Sequence, residues 1–356
     1  MTTKRLIATI AIAAIAATTI ASCGRQQGGD TQKRGSSGKT LEVLMAVDRD
    51  LWNGTTTALV DSLFRAPQDG LPQPEPKFSV VNIPTSSLQN TEMFQNHRNI
   101  LLCDVKADNP NKVYIHHNVK AYPQVWIEFA VASRQDFERL LRQHYPRIEQ
   151  EIYNTEHLRI QKAFYATRNV PLMADIRRQF GFGLTFSDEF AMAKQAKDFA
   201  WVRKEAKDFG IGVLIAVEPY QSQRQLSQEA ILDRLDTLMR HHVPGPADGS
   251  YMATERRAPA TTTTTTLGTT PYALQTRGCW RLFGDFMGGP YVAYTALNPA
   301  QDSIITLTAY AYCPRFPKRD YIMQVESICH SITFGDNQTQ PGSDQGRVKV
   351  VSTSNN

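Results

Sequence analysis

The chain has 356 residues, 41% of them hydrophobic and 21% charged, which is enough apolar side chain for one or two cores and too much for a disordered polypeptide. Its 39 Lys and Arg are interspersed with 34 Asp and Glu, for a formal charge of +5. That mixture lacks the concentrated basic patch that nucleic-acid affinity requires, so no nucleic-acid partner is expected.

Lys4 and Arg5 precede an Ala/Ile-rich run over residues 6–20, shorter than the ~20 residues that a membrane-spanning helix needs. A basic start followed by a short apolar run is the pattern of a secretory signal peptide. The run ends in Ile20-Ala21-Ser22-Cys23, which resembles the lipobox of bacterial lipoproteins, where cleavage before the Cys leaves a thiol that carries a diacylglycerol. The resemblance implies a signal peptide over residues 1–22, lipidation at Cys23, and the membrane as a partner through that residue. The alternative is an ordinary signal peptide cut near Ser22. Residues 23–40 are rich in Gly, Ser and Gln and read as a flexible tether. By resemblance to lipoprotein sorting rules, Gly24 offers no inner-membrane retention Asp, which points to the outer membrane, lipid-anchored and facing the periplasm. The segment 35–40 looks like the end of a phosphate-binding loop, but Lys33 stands where its first Gly belongs, and the segment precedes a strand instead of joining strand to helix.

Periodicity predicts two consecutive α+β blocks of mostly antiparallel sheet packed by helices, over residues 41–168 and 169–334, with a disordered polar tail over 335–356. In the first block, strands are expected at 41–47, 78–83, 99–105, 112–117 and 125–131, with a helix over 50–64. The clearest strand is the last, where Val125, Ile127, Phe129 and Val131 share one face. Ser133 with Asp136 three residues on forms a capping signal for a helix carrying Phe137, Leu141, Tyr145, Ile148 and Ile152. Pro146 is expected to kink or restart that helix. In the second block, strands are expected near 183–186, 199–205, 212–218, 250–256, 274–283, 291–297 and 303–313. One helix opens at Ser227 and carries Ile231, Leu235 and Leu238, and a final helix carries Ile322, Val325, Cys329 and Ile332. Residues 258–270, rich in Thr, are expected to be a mobile loop.

Besides Cys23, the cysteines are Cys103, Cys279, Cys313 and Cys329, with no CxxC motif. Cys103 reads as a small core residue; a disulfide, if one forms, is geometrically most favoured between Cys279 and Cys313, on strands expected to be neighbours. His116-His117 and His241-His242 cannot chelate as pairs, and no HExxH or Cys/His cluster occurs, so neither a metal nor another cofactor is implied. No GxSxG elbow is present either. Glycines crowd residues 277–290, which suggests a bulge or a ligand mouth. The candidate ligand groove there comprises Tyr251, Glu255, Arg277, Trp280 and Asp285, with Trp280 as an aromatic platform. The competing expectation puts Trp280 in the core, pairs Arg277 with Glu255 and makes 285–290 a tight turn.

Several motifs together resemble one family: Asn96-His97-Arg98-Asn99-Ile100, Pro244-Gly245-Pro246, Gly249-Ser250-Tyr251-Met252, Thr254-Glu255, Arg277-Gly278 with Trp280, residues 285–290, and Lys318-Arg319-Asp320-Tyr321. It is a family of bacterial envelope lipoproteins catalogued as domain of unknown function 4837, over about residues 40–334. The resemblance implies no activity, cofactor or catalytic residue. The second block also resembles the PsbP/Mog1-type α/β/α sandwich. These features lead us to expect a non-catalytic binding or envelope-assembly module with an envelope protein or glycan as partner. An envelope hydrolase, its site assembled from distant residues around Glu255 and Asp285, is the alternative, and a structural spacer without any pocket is a third.

Overall fold

The computed structural model describes residues 33–335 and 349–351. The expected signal peptide, Cys23, the tether up to residue 32 and most of the polar tail lie outside the described residues.

The first block runs β1 (Glu42–Ala46), α1 (Gly54–Phe64), β2 (Ser79–Ile83), α2 (Thr85–Asn90), α3 (Glu92–Gln95), β3 (Asn99–Val105), β4 (Lys112–His117), β5 (Val125–Val131) and α4 (Arg134–Ala166). Ser133 caps α4 as expected, accepting from the Asp136 amide. The second block adds α5 (Val170–Phe180), β6 (Phe182–Gly183), β7 (Ala191–Ala196), β8 (Phe199–Glu205), β9 (Gly210–Pro219) and α6 (Gln228–His242). It continues through β10 (Tyr251–Thr254), β11 (Thr261–Leu267), β12 (Thr270–Phe283), β13 (Gly288–Leu297), β14 (Ser303–Tyr312), α7 (Arg319–Cys329) and β15 (Thr333–Phe334). A last strand, β16 (Lys349–Val351), returns to the first sheet within the tail that composition marked as disordered.

The α+β class holds, and the second sheet, β10-β12-β13-β14-β9-β8-β7 with β11 beside β12, is antiparallel throughout. The first sheet, β16-β4-β5-β3-β1-β2, is mixed instead of mostly antiparallel. Its pairs β1–β2, β1–β3 and β3–β5 are parallel, while β4–β5 and β16–β4 are antiparallel. Parallel neighbours need long crossovers: α1 leads from β1 to β2, α2 and α3 lead on to β3, and β4 lies within the crossover from β3 to β5. Such strands are covered on both faces. Leu44, Ala46 and Ile100 pack under Leu88 of α2, and Val43, Met45, Leu101 and Ile127 pack under α1 and α4.

The second sheet is also covered twice. One face packs Val292, Ile305, Leu307 and Ala309 against Ile176 of α5 and Ile322, Val325 and Ile328 of α7. The other packs Leu214, Tyr291 and Ala293 against Ile231, Leu235 and Met239 of α6. In β14 the residues on the far side of the inward set, Thr306, Thr308 and Tyr310, are therefore buried as well.

Three expectations are corrected. The Thr-rich segment is strand β11, paired with β12 from Thr261↔Arg277 to Leu267↔Thr270, because a β-branched run fits a pleated ladder well. Helix α4 does not restart at Pro146 but runs through it, with buried Tyr145, Ile148 and Ile152 on either side. Cys279 and Cys313 are not on neighbouring strands, and Cys103, Cys279, Cys313 and Cys329 are all free thiols. Strand β13 stands between Cys279 on β12 and Cys313 just past β14, so two strand spacings of ~4.8 Å each separate their backbones, beyond the ~7 Å that a disulfide tolerates.

The two blocks meet along α4 and α7. Met323 of α7 enters the first core while its neighbours Ile322 and Val325 belong to the second. No side chain of α7 itself caps its N-terminus. The cap comes from the first block, where the Glu75 carboxylate accepts from the amides of Lys318 at 2.6 Å and Arg319 at 2.9 Å. Arg319 then donates to the Pro76 carbonyl at 2.9 Å.

Candidate functional site

The five residues singled out from sequence do not line one groove. Strand alternation sends Arg277 and Trp280 to opposite faces of β12. Trp280 is 4% exposed in the core under α6, and its indole N–H donates to the Ala311 carbonyl at 3.2 Å. Glu255 pairs with Arg257 at 2.7 Å, and that guanidinium, helped by the Arg257 amide, lowers its carboxyl pKa to about 2. Tyr251 stacks on Phe283 at 5.1 Å between centroids, with the Arg240 guanidinium 5.3 Å from its ring. Asp285 sits in an exposed turn, accepting from the Phe286 amide at 2.6 Å. Phe286 is fully exposed, whereas Met287 packs against the core under α6. The ion pair expected between Arg277 and Glu255 is absent, and Arg277 binds Glu326 of α7 instead.

Arg277 leads to a different site. A cleft of about 380 Å³ opens between the blocks. One wall is α4, with Glu149, Gln150, Tyr153, Asn154 and His157. Gln68, Asp69 and Lys77 from the chain between α1 and β2 close one side. Opposite stand Thr261, Thr263 and Thr265, alternate residues of β11, then Gln275 and Arg277 of β12. Glu326 and His330 come from α7 and its end. Gly70 brings the first-block segment onto β12: with φ +78, a Cβ there would lie 2.9 Å from Arg277 Cβ and 3.0 Å from the Gly278 amide nitrogen.

The residues behind the cleft form one hydrogen-bonded network. Arg277 Nε donates to Gln275 Oε1 at 3.1 Å, which fixes the amide so that Gln275 Nε2 donates to the Tyr294 hydroxyl at 2.9 Å. Tyr294 gives its own proton to Glu326 Oε1 at 2.9 Å. His330 Nε2, 3.1 Å from that hydroxyl, is therefore the donor, and its Nδ1 is the bare nitrogen. On the other side Ser327 donates to the Met323 carbonyl at 2.7 Å, so His157 Nδ1 donates to Ser327 Oγ at 3.0 Å and leaves Nε2 bare. The two imidazoles stack with centroids 4.0 Å apart.

Burial drives the charge states. It lowers the pKa of His330 to about 4, and together with His330 and Arg277 it holds His157 well below the ordinary histidine range. Burial also raises the Tyr294 hydroxyl well above its usual value, with the Glu326 carboxylate adding to the effect. Both histidines are neutral near pH 7. Glu326 is 1% exposed, and its Oε2 has no hydrogen-bond partner among the described residues. Ser327, committed to a backbone carbonyl, is not an activated nucleophile.

Strand alternation separates His116 from His117, whereas the rings of His241 and His242, on helix α6, lie 6.4 Å apart. His117 faces Glu151 at 3.3 Å, His116 lies 3.8 Å from Glu128, and His242 stacks on Phe199 at 4.0 Å. Among the described residues no cluster of three or more His, Cys, Asp or Glu is placed to hold a metal, and no helix is long and apolar enough to cross a membrane. The motif Asn96-His97-Arg98-Asn99 is structural. Arg98 and Asn99 hold the buried Glu156 of α4 at 3.0 and 2.9 Å, and His97 contacts Glu42 at 2.9 Å. The cleft residues carried no sequence signal beyond Arg277, because the rest lie far apart in the chain.

Comparisons with known proteins agree with the motif reading. Residues 169–331 match the family described as Domain of unknown function (DUF4837), and residues 36–165 match a second, Domain of unknown function (DUF8532). The DUF4837 match covers the second block alone, so the resemblance extends over less of the chain than its motifs suggested, and the first block matches a different family. No curated protein matches. Among solved structures, the crystal structure of LpqN involved in cell envelope biogenesis of Mycobacterium tuberculosis is similar at 13% identity and a TM-score of 0.28, over 43% of this chain and 83% of that one.

Proposed function

We propose that the protein is a lipid-anchored, periplasm-facing module of the bacterial cell envelope that binds a ligand or partner without transforming it, and that the cleft between the blocks is its binding site. The observation that carries the binding reading is the composition of that cleft. It is a polar concavity of about 380 Å³, within the ~300–1,000 Å³ usual for ligand sites, and its buried groups are already locked into a network. A wall whose side chains are held in place by such a network recognises; chemistry would need a base poised beside a nucleophile, and Ser327 and His157 do not provide one. The hydrolase alternative rested on Glu255 and Asp285. The pKa of Glu255 moves down, the opposite of what a general acid requires, and Asp285 is spent on its own turn.

The anchor rests on the Ile20-Ala21-Ser22-Cys23 motif. Two or three acyl chains, at ~0.8 kcal/mol per buried CH₂, hold a protein on a bilayer where one chain would not. The test is fractionation of the expressing cell followed by mass spectrometry of the mature N-terminus. Cys23 bearing an acylated thioether in the outer-membrane fraction, and release of Cys23→Ser into soluble extract, is the expected result. A bare Cys23 thiol in protein recovered from soluble extract overturns the anchor. Turnover in a screen of ester, amide and glycoside substrates that is lost on substituting Glu326 overturns the non-catalytic reading.

A further inference from the structure

Resting on that assignment of the cleft as the binding site, we propose that its ligand is an uncharged, hydroxyl-rich molecule, a saccharide of about two rings. The argument is one of charge. Five acidic or basic side chains other than the histidines line the cleft, and four are already paired with each other: Lys77 with Glu149 at 2.9 Å, and Arg277 with Glu326. The histidines are neutral, so Asp69 is the single lining charge without an ion pair among the described residues. An anionic ligand finds no free cation there, and a cationic one finds a single carboxylate.

What remains on offer is neutral hydrogen bonding. Thr261, Thr263 and Thr265 present hydroxyls along β11, and across from them Gln150 and Asn154 present amides on adjacent turns of α4. Hydroxyls and amides each donate and accept, which suits a ligand whose own hydroxyls do both. The deeper groups lean toward accepting. His157 and His330 each keep a bare ring nitrogen, and Glu326 Oε2 is unpartnered. Tyr153, half-buried on the same wall, supplies the aromatic surface against which the C–H face of a sugar ring packs. A ligand carrying several hydroxyls meets the donors and the acceptors alike; a carboxylate meets only the donors, and an amine only the acceptors.

The test is calorimetric titration of the protein with two sets of probes. The neutral set is maltose, cellobiose and N,N′-diacetylchitobiose; the charged set is spermidine and glucuronate. Each is repeated on the double variant Thr263→Val/Asn154→Ala, whose side chains are exposed and whose fold is checked by its thermal transition. Binding of a neutral disaccharide that weakens at least tenfold in the variant is the expected result. Binding confined to the charged set, and weakened by the same variant, overturns the ligand class while leaving the cleft as the site. Binding that the variant leaves unchanged, or silence across both sets, overturns the ligand class and the site together.

Discussion

The imidazoles of His157 and His330, one from α4 of the first block and one at the end of α7 of the second, stack within 19° of parallel. Two protonated rings at that distance would repel each other, with the Arg277 guanidinium adding to the repulsion. Folding therefore holds both neutral, while the unfolded chain takes up their protons at the ordinary value of 6.5. Above that pH neither state is protonated and the pair has no pH effect. As pH falls from about 6.5 toward 4, the unfolded chain binds more protons than the native one and stability drops, by roughly 3 kcal/mol for His330 alone at the lower end. Urea denaturation between pH 7.5 and 4 measures the slope. His330→Gln is expected to flatten it in that window, and an unchanged slope would mean that these rings are not what titrates.

Glu75 caps a helix that lies 243 residues further along the chain, at the seam between the blocks. Its two bonds satisfy orphan amides at the positive end of α7. Glu75→Ala should cost about 2 kcal/mol, at the upper end for a cap because a charged acceptor leaves two donors behind. Glu75→Gln keeps one acceptor and should recover part of the loss. Chemical denaturation of the three proteins gives the ranking. Equal stability of all three would show that water replaces the cap.

How much of this was legible beforehand follows the range of each interaction. The alternation of Val125–Val131 and the Ser133 cap depend on neighbours within a few residues, and both stand as read. Helix α5 went unread, although Pro171 occupies its first turn, where a missing N–H costs nothing. The parallel pairing of β1 with β2 and β3 is decided by crossovers, although the unbroken apolar run at residues 43–47 carried a hint that both faces would be covered. Dense glycine at 278–289 was legible, but its purpose was not. The cleft was hidden because its halves come from different blocks, as the bond between His157 and Ser327 across 170 residues illustrates.

The free thiols make a separate prediction. Burial pushes Cys103 up to about 12, Cys313 up to about 11 and Cys329 well above the usual thiol range. Cys279 is half-buried, with its sulfur 3.7 Å from the Gly70 carbonyl. The thiolate is the reactive form, so N-ethylmaleimide should modify Cys279 slowly and spare the other three until the protein unfolds. Peptide mapping of native and denatured samples distinguishes them. A recovered peptide linking Cys279 to Cys313 would show that β13 does not keep them apart.

Gly289 explains part of the glycine density around Trp280. A Cβ at this position would lie 2.1 Å from the Ala311 carbonyl oxygen and 3.1 Å from the Trp280 indole nitrogen. Those two atoms are themselves hydrogen-bonded, so the glycine clears the space through which Trp280 reaches across β13 to the backbone beyond. The oxygen belongs to the backbone of a central strand and cannot swing aside. Gly289→Ala should therefore cost about 3 kcal/mol or more, through loss of that bond and a forced shift of β13. Gly35→Ala, where nothing lies within 4 Å, should stay within ~0.5 kcal/mol of the parent and serves as the control. Trp280→Phe removes the reaching N–H and should relieve part of the clash, making the double variant less destabilised than the two single changes sum to. Strict additivity in that cycle would show that the indole and the glycine are not coupled.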